Sequence, residues 1–588
     1  MRFFLLTVFV LMISCSTSHS VTLSRLMQEY TVAYFQLNPD IAMEKGIGAQ
    51  FGISVPDRFT DTSLNGIKKE YKLVNSIYEK LQRIDSSALT GKELIYYKVF
   101  KSYLETRREE EHFMFHWYVL NPMFSVHTSM VTLITESLPV TTQKDVKRYL
   151  SRMKQIPIRL SHEKSKLEYQ NSHKILPSRS AADSYLNSID SFIKTPVQEN
   201  PLYVTLKSKI EKLSLNPEEQ KKILADCETI ITHTVYPAYR EYAQYVGTVR
   251  DTCDDIDGVW KLPDGEAYYA FSLKYHTSSN KTPDEIHTTG IHEVERLQKE
   301  ITSLMRTVGI APRETFQKTL FAYWDHCSKN PEMGYPETEE GKQHTIRDYR
   351  LIIDETEKKL DALFSLLPKT KVTTEPVPLY KEKTSGTYYQ PAPADGSAKG
   401  VFYANLGYSH FKPDMPALTY HESIPGHHLQ LAIQQEVGLP LFFAIPFFTA
   451  YIEGWALYAE QLAFEEGWYP DVYSRISYLH SALFRAARMV VDTGIHYKRW
   501  TREESRGYME RTVGWGGDGQ IDRYSTWPGQ ACAYMHGKLA LLALRHKTKE
   551  KLGSSFDIRE FHTAILEHGA VPLPLLDDIV DTYYSHKP

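Results

Sequence analysis

The chain has 588 residues, of which 42% are hydrophobic and 24% are charged. These fractions are typical of a soluble globular protein, and the length is sufficient for a large apolar core. The formal net charge of −4 argues against a nucleic acid partner, because phosphate binding requires a clear excess of lysine and arginine.

Residues 1–20 are predicted to be a signal peptide rather than part of the fold. Arg2 precedes the apolar run from Phe3 to Ile13, which is too short to span a bilayer but suits an export signal. Met12-Ile-Ser-Cys15 approximates a bacterial lipobox, with methionine where leucine is usual, and predicts a lipid anchor on Cys15. We therefore expect an outer-membrane lipoprotein that faces the periplasm. The alternative is cleavage near Ser18 to Ser20 and release as a soluble periplasmic or secreted protein.

Residues 21–250 are predicted to form an N-terminal helical lobe, and residues 251–588 a second lobe that carries the functional site. The first segment has apolar residues at helical spacing, for example Leu73, Ile77, Leu81 and Ile84. It contains no motif that indicates a particular chemistry. The site is therefore expected entirely within the second lobe.

Four cysteines follow Cys15 in the sequence: Cys227, Cys253, Cys327 and Cys532. Four cysteines allow three pairings, and the sequence alone does not choose among them. A bridge between Cys227 and Cys253 is one alternative in an oxidising periplasm. No Cys-x-x-Cys pair is present, which argues against cysteine-bound metal.

The second lobe begins with a strong helix start and continues to a predicted hairpin. Thr282-Pro-Asp-Glu285 combines a capping threonine, a proline in the first turn and a glutamate that completes a capping box. The stretch from Gly386 to Leu406 alternates aromatic and small residues around a Pro- and Gly-containing loop, which predicts two paired strands. A strand here could bind an extended peptide through main-chain hydrogen bonds. Tyr388 and Tyr389 would then contact substrate, or simply pack on the sheet.

Three imidazoles and a carboxylate follow in His421-Glu-Ser-Ile-Pro-Gly-His-His-Leu-Gln430, which predicts a metal site. On a regular helix, six residues correspond to about 240° and roughly 9 Å, so His421 and His427 could not share an ion. Pro425 has no N–H and must break the helix, and Gly426 tolerates the unusual dihedral angles that follow. The break could return His427 to His421, and His428 is the second choice of ligand.

A third ligand is expected from the next apolar helix, Tyr451-Ile-Glu-Gly-Trp-Ala-Leu-Tyr-Ala-Glu460. Glu453 lies 26 residues after His427, which is enough chain for a helix, a turn and a second packed helix. Three protein ligands would leave one position open for water, as in catalytic zinc sites. A fourth ligand such as His428 or Glu460 would instead indicate a closed structural site.

Two further groups have both a functional and a structural interpretation. Arg488, Asp492 and His496 form one polar stripe on an apolar helix. Asp492 could orient His496 to stabilise an oxyanion, or the stripe could be a structural ion pair. Tyr524 could also donate to the oxyanion, although a single tyrosine is often a core residue. The helix start at Gly529 and Gln530 could bind a carboxylate through its N–H groups, or be an ordinary cap.

The metal motif followed by Glu-Gly-Trp-Ala-Leu-Tyr-Ala-Glu resembles the bacterial "domain of unknown function 885" family. Other stretches are similar to it as well: Gly258-Val-Trp-Lys-Leu-Pro-Asp-Gly-Glu-Ala-Tyr-Tyr269, Thr282 to His287, Gly386 to Tyr389, Val491 to His496 and Trp527 to Ala531. Members of this family are predicted zinc metallopeptidases and are often lipoproteins. The resemblance indicates the fold and the site rather than the substrate.

The resemblance implies a mainly α, two-lobed, zincin-like (gluzincin-type) fold with a small β-sheet beside the active-site helix. His421, His427 and Glu453 would hold Zn²⁺, which lowers the pKa of a bound water. Glu422 would be the general base in peptide-bond hydrolysis, with His496 and Tyr524 as oxyanion donors. The alternative is a non-catalytic, metal-containing envelope protein that binds peptides or cell-wall components.

Overall fold

A computed structural model describes residues 22–123, 125–382 and 385–585 of the chain. The signal peptide and Cys15 therefore lie outside the described residues. The described chain is mainly helical and contains one small β-sheet, as predicted. Within these ranges no helix combines the length and the apolar character that crossing a membrane requires.

Ten helices form the N-terminal part of the described chain. They are α1 (22–37), α2 (Pro39–Glu44), α3 (Leu64–Leu81), α4 (Gly91–Glu110), α5 (Val126–Thr132), α6 (Gln143–Ser172), α7 (Arg179–Lys194), α8 (Pro201–Ile210), α9 (Pro217–Ile230) and α10 (Tyr236–Arg250). Ser63 begins α3 by accepting the N–H of Gly66. The helical periodicity predicted there is confirmed, because Ile77 and Leu81 are buried on one face of α3.

Thirteen helices follow α10 in the rest of the described chain. They are α11 (Gly265–Thr277), α12 (Pro283–Thr307), α13 (Phe316–Ser328), α14 (Glu339–Glu357), α15 (Met415–Glu422), α16 (His427–Glu436), α17 (Thr449–Glu465), α18 (Val472–His496), α19 (Arg502–Val513), α20 (Asp518–Thr526), α21 (Ala533–Leu552), α22 (Ile558–Leu566) and α23 (Leu576–Ser585). The predicted capping box of α12 is confirmed, with Thr282 and Glu285 satisfying each other's backbone N–H groups.

The hydrophobic core continues across residue 250, where the sequence predicted a lobe boundary. Side chains of α1 and α4 pack in the same core cluster as residues of the C-terminal helices. The ring centroid of Phe442, for example, lies 4.7 Å from that of Phe100 and 6.2 Å from that of Tyr30. A second cluster is formed largely by α5 to α10. The first helices of the chain therefore support the half that carries the candidate site.

The sheet has three strands in the order β1-β3-β2. They are β1 (Thr373–Pro376), β2 (Tyr388–Gln390) and β3 (Val401–Ala404). The predicted hairpin is confirmed, because β2 and β3 are antiparallel, with Tyr389 opposite Phe402. Strand β1, which the sequence did not reveal, pairs in parallel with β3. Strand β2 therefore lies at one edge of the described sheet.

The four cysteines of the described chain are free and buried. A bridge between Cys227 and Cys253, one alternative from the sequence, is therefore absent from this structure. The Cys227 thiol lies against Met153 and the carbonyl of Leu202, whereas the Cys253 thiol lies against the carbonyl of Val249. Burial raises the pKa of the Cys227 thiol to about 12, so this thiol stays protonated at neutral pH.

Candidate metal centre

The predicted helix break separates α15, which ends at Glu422, from α16, which begins at His427. Gly426 precedes α16, and a Cβ atom on it would lie 2.0 Å from the carbonyl oxygen of His421. Only glycine fits this close approach of the backbone. The indole N–H of Trp455 donates to the carbonyl of Pro425 at 2.9 Å, which fixes the break against α17. As a result, the rings of His421 and His427 lie with their centroids 4.8 Å apart.

Helix α17 brings the carboxylate of Glu453 to both rings. Its Oε2 atom lies 3.4 Å from Nε2 of His427 and 3.7 Å from Nε2 of His421. Ligand atoms of the three residues all lie within 4.8 Å of one another. Tetrahedral zinc with bonds of about 2.0–2.1 Å separates its ligands by about 3.3–3.4 Å. The residues thus fit one ion of this size, although metal binding itself stays a prediction.

Glu460 lies behind His421 and not among the three converging ligand atoms. Its Oε1 atom accepts the Nδ1–H of His421 at 2.8 Å, and both side chains are buried. The other ring nitrogen, Nε2, faces Glu453 at 3.7 Å and would be the one to bind a metal. Metal-ligating histidines are commonly oriented by a carboxylate in this way. Glu460 therefore orients a candidate ligand and is not itself in position to be the fourth.

His428 faces the sheet and not the cluster of His421, His427 and Glu453. Its Nδ1 accepts the hydroxyl of Tyr389 at 2.9 Å, and its Nε2 donates to the carbonyl of Thr370 at 3.0 Å. Burial lowers the pKa of His428, so the ring is neutral and both nitrogens are used. Between the two histidines that the sequence left open, the structure brings His427 to the cluster.

Glu422 lies beside the cluster and is held by the edge strand of the sheet. Its Oε2 atom accepts the backbone N–H of Tyr389 at 2.9 Å. Because this N–H does not point towards β3, the outer edge of β2 faces the candidate site. Burial raises the pKa of the Glu422 carboxyl, while the neighbouring His421 and His427 lower it. Glu422 is thus a partly desolvated carboxylate next to the converging ligand atoms.

The predicted pairing of Asp492 with His496 is wrong. Asp492 accepts the hydroxyl of Tyr269 at 2.8 Å and the backbone N–H of Gly529 at 3.0 Å. The Nδ1 atom of His496 accepts the N–H of Val259, and its Nε2–H donates to the carbonyl of Tyr524. Burial lowers the pKa of His496 to about 4, so this ring is neutral and has no spare N–H for an oxyanion. The backbone N–H of Gly529, which the sequence suggested could bind a carboxylate, therefore binds the side chain of Asp492.

Tyr524 is fully buried, and its hydroxyl lies 3.4 Å from Oε1 of Gln520. Burial raises the pKa of this hydroxyl, against the lowering effect of Arg488 and Arg523. Sequence reasoning did not select Arg523 or Tyr534, whose side chains hydrogen-bond each other close by. One sequence feature could have indicated Arg523: it directly precedes Tyr524. The Trp527-Pro-Gly turn then connects this segment to the helix that contains Tyr534.

The fold and the site define a mainly helical protein with a candidate centre of two histidines and one glutamate. The chain belongs to the family described as "Bacterial protein of unknown function (DUF885)", whose model matches residues 39–580. The fold is similar to that of a "putative lipoprotein" from Colwellia psychrerythraea, with a TM-score of 0.90, 27% identity and coverage of 97% of this chain and 100% of the other.

A second solved structure supports the fold alone. It is a "putative lipoprotein of unknown function" from Shewanella oneidensis, with a TM-score of 0.71, 17% identity and coverage of 95% of this chain and 99% of the other. The search of curated proteins gave no match. The comparisons therefore establish family and fold, and leave the activity to be argued from the site.

Proposed function

We propose that this protein is an exported, zinc-dependent peptidase with a zincin-like, gluzincin-type catalytic half. The observation that carries the proposal is the convergence of His421, His427 and Glu453. Among the described residues, no fourth histidine, cysteine or acidic side chain joins this group. Three protein ligands with an open position are typical of catalytic zinc sites, whereas structural sites are closed. Of the neighbouring side chains, Glu460 binds the far nitrogen of His421, and His428 binds the carbonyl of Thr370.

His421, His427 and Glu453 would hold the metal, and Glu422 would carry the proton. When bound, Zn²⁺ supplies a Lewis acid that polarises the scissile carbonyl and lowers the pKa of water. Glu422 accepts a proton from the attacking water and delivers it to the leaving amine. The backbone N–H of Tyr389 orients the Glu422 carboxylate for this transfer. In this proposal His496 has no direct part, because both of its ring nitrogens are already hydrogen-bonded. A role for the Tyr524 hydroxyl as an oxyanion donor stays a prediction.

A peptide substrate is favoured by the edge strand next to Glu422. Strand β2 lies at the edge of the sheet, and its outer N–H at Tyr389 points to the site. An extended peptide can add to such an edge through main-chain hydrogen bonds. The ring hydroxyl of Tyr389 binds His428 and its N–H binds Glu422, so the backbone carbonyl on the same outer edge of β2 would be the group that contacts the substrate.

We also propose a lipid anchor on Cys15 and a location in the bacterial cell envelope. The lipobox-like sequence before Cys15 supports the anchor. The descriptions of both solved structures as "putative lipoprotein" are consistent with it. The anchor would hold the protein at the outer membrane, facing the periplasm, where peptides are available as substrates.

The test compares wild type with Glu422→Gln on a mixed peptide library at matched zinc occupancy. The substitution keeps the size of the side chain and removes the basic carboxylate, so turnover should fall about 10²- to 10⁴-fold while zinc is retained. Glu466→Gln, an exposed position at the end of α17, is the matched control and should keep full activity. Undiminished turnover in Glu422→Gln would remove Glu422 from the mechanism. A zinc-loaded wild type that cleaves no peptide would favour the non-catalytic envelope protein.

A further inference from the structure

The buried Arg488 and the half-buried Arg523 lie beside Tyr534 without an ion-pair partner, and we name Arg488, Arg523 and Tyr534 the arginine cluster. The Arg488 guanidinium lies 4.3 Å from the ring centroid of Phe484 and 4.9 Å from that of Tyr534. Only 6% of Arg488 is exposed, and its Nε atom is buried with no hydrogen-bond partner. Its Nη2 donates to Oε1 of Gln520 at 3.2 Å. Arg488 therefore keeps unused donor capacity on a rigidly packed guanidinium.

Arg523 reaches the same place from α20. Its Nη2 atom donates to Oε1 of Gln530 at 2.8 Å and to the hydroxyl of Tyr534 at 3.1 Å. Its Nε atom is also buried with no hydrogen-bond partner. Both arginines are thus held in place by neutral groups, and each has a donor left over.

No carboxylate of the described chain forms a direct ion pair with the cluster. Two other arginines of this half, by comparison, have carboxylate partners: Arg502 lies 2.9 Å from Asp257, and Arg545 lies 2.8 Å from Glu465. Neither Arg488 nor Arg523 makes an ion pair with a described acidic residue. Burial lowers the pKa of Arg488, and the charge of Arg523 lowers it further. Buried charges are normally paired, so this arrangement favours a bound anion.

The cluster adjoins the candidate metal centre through the contact of α17 with α21. Gly454, next to Glu453, packs so closely on Gly537 that a Cβ atom there would lie 2.5 Å from its backbone. Tyr534 is three residues before Gly537, about one helical turn away on α21. Burial lowers the pKa of the Arg523 guanidinium. The nearby Tyr534 and Tyr524 raise this pKa, and so does the charge of Glu453. An anion on the arginines would therefore lie close to the metal centre.

We infer that the arginine cluster binds the C-terminal carboxylate of the peptide substrate, so that the protein removes residues from the C-terminus. This inference rests on the proposed peptidase function. Guanidinium groups match a planar carboxylate and form charge-assisted hydrogen bonds with it. In the reaction, water adds its oxygen to the carbonyl carbon, the C–N bond breaks, and the leaving amine takes a proton. The C-terminal carboxylate held by the arginine cluster would determine which peptide bond near the C-terminus reaches the candidate metal centre.

A binding experiment on the Glu422→Gln protein tests the inference separately from hydrolysis. N-acetylated pentapeptides of random sequence are prepared with either a free C-terminal carboxylate or a carboxamide. Both libraries are applied to the immobilised protein, and retained peptides are quantified by mass spectrometry. Because hydrogen bonds to charged groups are the stronger kind, the acid forms should be enriched about 10- to 100-fold over the amides.

Arginine variants identify the groups that cause the enrichment. Arg488→Gln or Arg523→Gln, each added to Glu422→Gln, should reduce the enrichment to near one. The second variant keeps the test valid if the first does not fold. Arg475→Gln, an exposed arginine on the same helix α18, is the matched control and should keep the enrichment. Equal retention of acids and amides would overturn the inference. Amidated peptides that contain aspartate or glutamate would also overturn it if they were retained as strongly as the acid forms.

Cleavage by wild type separates this inference from the proposed function. Release of residues from the C-termini of acid peptides alone supports both. Cleavage of acids and amides at the same internal bonds, with equal rates, overturns the carboxylate site and leaves the peptidase function intact. Acid enrichment together with an inert zinc-loaded wild type supports the carboxylate site and removes the peptidase function.

Discussion

Glu460 is expected to control zinc affinity through His421 without touching the metal. The Glu460 carboxylate is 1% exposed and accepts the Nδ1–H of His421 at 2.8 Å. Glu460→Gln keeps an oxygen acceptor but loses the charge, whereas Glu460→Ala loses both. Replacing such orienting carboxylates costs about 10- to 100-fold in metal affinity, or about 1.4–2.7 kcal/mol. We expect Glu460→Gln near the lower value and Glu460→Ala near the upper value.

The affinity would be measured by competition with a chromogenic zinc chelator at fixed pH. Glu465→Gln, at the end of the same helix and paired with Arg545 on the surface, is the control and should keep the wild-type affinity. Circular dichroism and thermal unfolding confirm that each variant is folded. A folded Glu460→Ala protein with unchanged zinc affinity would refute the orienting role, and so would an equal loss in Glu465→Gln.

Three further predictions concern the ligand set, the anchor and a buried carboxyl. Alanine at each proposed ligand should lower the zinc content measured by atomic emission, whereas His428→Ala should lower it less; the proposed ligands are His421, His427 and Glu453. Zinc that is lost with His428 but retained without His427 would reverse this assignment. Cys15→Ala should move the protein from the membrane fraction to the soluble fraction, or stall its maturation, and a wild type that is already soluble would contradict the lipobox. Burial raises the pKa of Asp492 to about 7, above the unfolded value of about 3.9. The folded state therefore binds this proton more tightly than the unfolded state does. As the pH rises from about 4 to about 7, the free energy of unfolding should fall by at most about 1.4 kcal/mol per pH unit. In denaturant unfolding, wild type should lose more stability than Asp492→Asn over this pH range, and identical slopes for the two proteins would contradict the prediction.

Local chemistry made the helix break and the hairpin predictable from sequence. Pro425 cannot continue a helix and Gly426 accepts a backbone approach that a side chain would block. The choice between His427 and His428 was less accessible, because it depends on the angle at which α16 restarts. Periodicity counted from His421 gives no information beyond a break of this kind. The sheet decides the matter by engaging both nitrogens of His428.

Long-range partners explain what the sequence could not reveal. His496 and Asp492 are one helical turn apart, which suggested a pair, yet the N–H bound by His496 belongs to Val259, 237 residues away. Arg523 and Tyr534 could not be selected from the sequence, because they form a cluster only when α20 and α21 bring them to Arg488 on α18. The core shared by α1, α4 and the C-terminal helices likewise depends on contacts between distant segments. No local pattern specifies such contacts.

A crystal structure of the zinc-loaded protein, with anomalous data collected at the zinc edge, tests the proposed centre most directly. We expect one zinc ion bound by Nε2 of His421, Nε2 of His427 and a carboxylate oxygen of Glu453, with solvent in the remaining position and Glu422 beside it. A closed site with Glu460 or His428 as a fourth protein ligand would contradict the proposal, and so would zinc bound elsewhere in the protein.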